Sequence, residues 1–107
     1  MYINVTDADQ LANVFELSAE APVMLFMYDP YCPINSSAMA EIDELKTTVY
    51  LVNVAEHRAL GSAVQLYTRV RHESPQLIIL RERTPAWHAS HGGITALRVG
   101  EALEEAS

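Results

Sequence analysis

Val23-Met24-Leu25-Phe26-Met27-Tyr28-Asp29-Pro30-Tyr31-Cys32-Pro33-Ile34-Asn35-Ser36-Ser37-Ala38 is the stretch from which the rest of this chain is read. Its first six residues are apolar without alternation, the pattern of a strand covered on both faces. Asp29-Pro30-Tyr31 is loop chemistry, and Pro33 is tolerated in a first helical turn because its missing N–H has no intrahelical partner there. Ile34, Ala38, Ile42 and Leu45 then form one helical stripe. The spacing therefore predicts strand, loop and helix, with Cys32 at the helix N-cap.

Upstream, Tyr2 to Val5 reads as a short strand. Thr6 or Asp7 can cap a helix carrying Leu11, Val14, Phe15 and Leu17, which Pro22 ends. Downstream, Val49 to Val54 is a β-branched run, and Ala59 to Val70 places Leu60, Ala63, Val64, Tyr67 and Val70 at helical spacing. Gln76 to Leu80 is a third apolar strand, joined through a polar hairpin at Arg81-Glu82-Arg83-Thr84 to Ala86 to Ser90. Gly92-Gly93 breaks the chain. Thr95 caps a last helix, with Ile94 and Val99 as a hydrophobic staple. Glu101, Glu104 and Glu105 oppose that helix's dipole, so its end is expected to fray.

The element order is βαβαβαββα, a parallel half followed by an antiparallel half. It predicts an α/β protein of thioredoxin-like fold, one domain over residues 1–107, with a central mixed sheet and helices on both faces. In such a sheet the loop carrying Cys32 emerges at the carboxyl edge, where open α/β sheets hold their sites.

Composition narrows the function. Fourteen acidic against seven basic residues give a net charge of -7, which disfavours nucleic acid and anionic membranes as partners. The longest apolar run is far short of the roughly 20 residues of a spanning helix, and no basic-then-apolar leader opens the chain. One cysteine excludes an internal disulfide. A lone thiol fits a cytoplasmic setting. His57, His72, His88 and His91 are scattered and match no zinc spacing, so no metal is expected. Trp87, Met24, Met27 and Met39 read as core.

Free cysteines are often inert packing, but Cys32 stands between Asp-Pro-Tyr and Pro, at a loop-to-helix junction rather than inside an apolar strand. There the first-turn amides of Asn35 and Ser36 and the helix dipole favour a thiolate, the form that attacks disulfides. A resolving thiol would stand three residues on. That position is Asn35, which can donate a hydrogen bond but cannot displace sulfur, so the cycle is monothiol. Ser74-Pro75 precedes the third apolar strand. Pro75 is there either a strand-opening proline or the cis-proline that thioredoxin folds place opposite the sulfur. His72 is the histidine expected nearest to it.

Tyr31-Cys32-Pro33-Ile34-Asn35-Ser36-Ser37, His72-Glu73-Ser74-Pro75-Gln76 and Trp87-His88-Ala89-Ser90-His91 together resemble the monothiol bacilliredoxin-like family of the bacillithiol system, the YtxJ type. The resemblance runs over nearly the whole chain. It implies a cis Pro75, a nucleophilic Cys32, and a substrate-facing surface of Pro33, Asn35, Ser74 and Pro75 with the Trp87 to His91 segment packed alongside. It also implies clients that are S-thiolated proteins, with bacillithiol or another low-molecular-weight thiol as co-substrate and no tightly bound cofactor. That family commonly has serine where Asn35 stands. A second function stays open at this point: a redox-sensing or interaction module whose Cys32 is capped by a small thiol without turnover.

Overall fold

The computed structural model describes residues 1–107. Its elements are β1 (Tyr2–Asn4), α1 (Ala8–Leu17), β2 (Val23–Tyr28), α2 (Asn35–Asp43), β3 (Val49–Asn53), α3 (Arg58–Thr68), β4 (Gln76–Arg81), β5 (Thr84–Ser90), a 3-10 turn at His91–Gly93 and α4 (Ala96–Ala106). The strands form one sheet in the order β1-β3-β2-β4-β5. β3 pairs parallel with β1 and β2, whereas β4 runs antiparallel to β2 and β5. This is the arrangement that the alternation of runs in the sequence predicts.

β2 explains why its run lacks alternation. Val23, Leu25 and Met27 enter the cluster built with Leu11, Val14 and Phe15 of α1 and Leu60 and Val64 of α3. Met24 and Phe26 enter the opposite cluster, with Ala38 and Ile42 of α2 and Val99 and Ala102 of α4. Each fully buried large side chain of this kind contributes roughly 1.5–3 kcal/mol by leaving water. The sheet edges are β1, three residues long, and β5, which contains Pro85 and a register shift opposite Ile79 and Leu80.

Local chemistry sets the helix ends. The Asp7 side chain accepts from the Gln10 amide at 2.8 Å and caps α1, so Asp7 rather than Thr6 is the N-cap. Leu17 is 39% exposed; the buried stripe is Leu11, Val14, Phe15 and Ser18. α1 ends at Leu17, ahead of Pro22, because the buried Ser18 turns the chain. Ser18 Oγ donates to the Phe15 carbonyl and accepts the Arg83 amide, and the Ser18 carbonyl accepts the Glu82 amide. Thr95 caps α4, and its staple partners Ile94 and Val99 are both buried.

α4 is helical through Ala106, although its glutamates oppose the dipole. The reason is Arg81: Nε donates to the Ala106 carbonyl at 3.0 Å, and Nη1 donates to the Ser18 and Ala19 carbonyls at 3.1 and 2.9 Å. One guanidinium thus closes the C-terminal ends of two helices, where unpaired carbonyls and the negative dipole end favour a cation.

The β4–β5 turn places both Glu82 (φ 54°) and Arg83 (φ 64°) in the left-handed region. Two such residues make a hairpin turn compatible with strand twist, but side chains with a Cβ are disfavoured there. Glu82→Asn is expected to stabilise the fold by about 0.5–1 kcal/mol, since asparagine enters this region more readily and both turn amides stay bonded. A urea midpoint that does not rise would show the turn to be unstrained.

Candidate active site

The site is a loop held by Asp29, the first residue after β2. Its side chain accepts the Tyr31 amide at 2.9 Å, and its carbonyl accepts the Cys32 amide at 3.0 Å. The Asn35 side-chain amide donates to the same carbonyl. The Asp-Pro sequence marks a loop, and the Asx-type turn explains why aspartate opens it. Asp29 is therefore the organiser of the cysteine loop, a role that its charge alone did not disclose.

Cys32 lies further from the helix than the sequence suggests. α2 begins at Asn35 with Ile34 as its N-cap, and Cys32 opens the preceding turn, its carbonyl accepting the Asn35 amide at 3.2 Å. Pro33 thus sits in that turn rather than in the helix, and Ile34 is 43% exposed instead of joining the α2 stripe. Of the two amides expected to face the sulfur, that of Asn35 is already used; the Ser36 amide has no main-chain acceptor. The thiol is half-buried, with Tyr31 85% exposed on one side and Pro33 exposed on the other.

Asn35 is buried at 6% exposure, with its Oδ1 unpaired and its amide turned to Asp29. It braces the loop from beneath rather than facing outward, which is where the structure departs from the expected substrate-facing position.

Strand register brings the second segment to this loop. Met27 of β2 lies opposite Gln76 of β4, so the residues that follow Met27 run beside those that precede Gln76. There the Ser74–Pro75 peptide is cis. Gln76 Nε2 donates to the Arg71 carbonyl at 2.9 Å and closes the loop, while the Pro75 carbonyl accepts the His91 amide at 3.0 Å.

A lone half-buried thiol and a cis-proline thus share one end of the sheet. Residues 3–99 match the family model described as monothiol bacilliredoxin BrxC. The chain belongs to the monothiol bacilliredoxin family. Among solved structures, a proposed oxidoreductase with a thioredoxin fold superimposes with a TM-score of 0.86 at 26% identity, over 94% of this chain and 92% of that one. A thioredoxin variant from Halobacterium salinarum gives 0.77 at 18% identity, over 98% and 89%. Spinach chloroplast thioredoxin f, long form, gives 0.74 at 17%, over 98% and 85%. The last two bear on the fold alone, and family and fold together assign this bacilliredoxin a redox role.

The remaining candidate residues of the bacilliredoxin site lie to either side. Ser90 Oγ donates to Glu73 at 2.6 Å, which holds that carboxyl below the usual range, helped by His91, Arg71 and His88. Only this end of the Trp87 to His91 segment reaches the site. Trp87 lies opposite Ile79, three pairs along from Gln76, half-buried with Arg98 over its ring at 5.9 Å. Met24 and Met27 are core, and Met39 is partly buried against it. On the other side an open groove of about 680 Å³ is bounded by Asp29, Tyr31 and Ser74 and by Arg58, Gln65 and His72. His72 is therefore a groove wall, packed near Gly61 of α3.

No helix is long and apolar enough to cross a membrane. Arg58 and Gln65 were missed as groove residues in the sequence, where their helical spacing marks only an exposed face.

Proposed function

We propose that Cys32 removes a low-molecular-weight thiol, bacillithiol in cells that make it, from S-thiolated client proteins in a reducing cytoplasm. The observation that carries this reading is a single half-buried thiol at the same end of the sheet as a cis-proline, with a buried asparagine where a resolving cysteine would stand. In the first step the Cys32 thiolate attacks the small thiol's sulfur. The bond from that sulfur to the client cysteine breaks, and the client leaves as a thiolate that takes a proton from water. Cys32 then carries the small thiol as a mixed disulfide.

Asn35 has no sulfur with which to displace it, so a second molecule of the small thiol attacks. A small-thiol disulfide leaves and the Cys32 thiolate is restored. Exposed Tyr31, Pro33 and Ile34 offer an apolar collar for the client, and half-buried Ser74 offers main chain beside it, whereas Pro75, expected to face the substrate too, is buried with its carbonyl bonded to the His91 amide.

The test is turnover. Excess S-thiolated protein is mixed with the bacilliredoxin and free small thiol, and the released client thiol is counted against enzyme. Many equivalents per chain are expected. One equivalent, followed by a stable adduct on Cys32, would make the protein a sensor.

A further inference from the structure

We infer that the basic outer face of α3 in one copy of this chain seats the acidic outer face of α4 in a second copy, a head-to-tail contact independent of the chemistry of Cys32. Two helices with one spacing and opposite charge carry it. Arg58, Ser62, Gln65 and Leu66 fall at i, i+4, i+7 and i+8 of α3, and Leu97, Glu101, Glu104 and Glu105 fall at the same intervals of α4. Residues so spaced share one helix face. All of them are exposed, Leu66 and Leu97 at 72% and 73%. Arg69, just past α3, extends the basic row.

Neither row is neutralised within the chain. Its one salt bridge joins Arg83 to Glu16, so Arg58, Arg69 and the three α4 glutamates have no ionic partner. α3 contains no acidic residue. Arg98, the only cation of α4, is drawn onto the Trp87 ring at 5.9 Å and pairs with none of the glutamates.

The helix dipoles agree with these charges when the two helices run antiparallel. Arg58 stands in the first turn of α3, which has no side-chain cap, and Glu104 and Glu105 stand in the last turn of α4, which has no basic residue. Antiparallel seating brings a positive helix start to a negative helix end. It also sets Leu97 against Leu66, because Leu97 is as far from Glu105 in sequence as Leu66 is from Arg58.

Within one molecule the two faces point apart. α3 packs through Leu60 and Val64 into the core on one side of the sheet, and α4 through Val99 and Ala102 into the core on the other. The contact is therefore heterologous: each added copy presents a fresh face, and association continues past two. Copies of net charge -7 repel one another at a distance. The pairing acts only inside the Debye length, about 10 Å at 0.1 M salt. A single helix pair with exposed ions makes a small interface of the transient class.

The test is weight-average mass by sedimentation equilibrium, under a thiol reductant so that no Cys32 disulfide contributes. At about 0.1 M salt the native mass is expected to rise with concentration past that of a dimer, and at about 1 M salt to fall back toward the monomer. Arg58→Glu/Arg69→Glu and Glu101→Lys/Glu105→Lys each present like charge on both faces, and each is expected to associate about tenfold or more weakly than the native chain. Mixed in equal amounts, the two variants are expected to regain association, because each then meets its opposite on the other.

A native chain that stays monomeric at the highest concentration reached overturns the inference and leaves the basic face of α3 to a foreign acidic partner or to none. A mass that survives both reversals places the contact elsewhere. Variants that keep the native circular dichroism, lose association and do not regain it on mixing also overturn the pairing of α3 with α4.

Discussion

Cys32→Ser is expected to abolish thiol–disulfide exchange down to the uncatalysed background while leaving stability within about 0.5 kcal/mol of the native protein. The first half follows from sulfur chemistry. A thiolate is accessible near neutral pH and attacks a disulfide in line, whereas a serine hydroxyl stays protonated and cannot form the mixed disulfide. The second half follows from what Cys32 contributes to the fold. Its structural bonds are main-chain ones, the amide to Asp29 and the carbonyl to the Asn35 amide, and serine keeps both. Its side chain is half-buried, so the smaller oxygen opens no cavity. Exchange is read with a mixed-disulfide substrate and stability by urea unfolding; a loss above about 2 kcal/mol would mark Cys32 as a packing residue.

Arg81→Ala is expected to be the most destabilising polar substitution in the chain. It strips partners from the Ala106, Ser18 and Ala19 carbonyls at once, and these part-buried acceptors are not all reached by water afterwards. Hydrogen bonds to a charged group contribute about 1.5–3 kcal/mol, and some of the three positions rehydrate, so a net loss of roughly 2–4 kcal/mol is expected. For a chain of this length that lowers the thermal midpoint by roughly 10 °C or more. Arg81→Lys should recover only part, because an ammonium cannot span the two helix ends as the fork does. Arg83→Ala, by contrast, removes an exposed pair with Glu16 and should shift the midpoint little. If Arg81→Ala were equally mild, the helix ends would be held by packing instead.

The element order was legible because the runs differ in period. Val23 to Tyr28 lacks alternation since both its faces are covered, and Leu60, Ala63, Val64 and Tyr67 repeat at helical spacing. Cys32 and the Ser74–Pro75 pair were legible through proline, which marks loops by what it prevents. What was hidden depends on contacts distant in sequence or on main-chain dihedrals. The sequence points to too early a start for α2 because Pro33 suits a turn before a helix as well as the first helical turn. No glycine or asparagine announces the Glu82-Arg83 turn; Ser18 holds it from the end of α1. Arg81's three acceptors come from two other helix ends. Asn35 appeared free to face a substrate because its spacing from Cys32 was visible and its bond to the Asp29 carbonyl was not.

The poor edges of the sheet bear on how the protein behaves when crowded. An open strand edge recruits any extended chain, including another copy of the same protein, and the usual remedies are brevity, proline and a bend. β1 is brief, and β5 has Pro85 and a shifted register near its hairpin end. Under the function proposed above, the protein would receive partly exposed client segments, which are themselves prone to pair with open edges. With both sheet margins ill suited to templating, the proposed docking of a client at the loop beside the thiol would be left with little competition from the sheet edges.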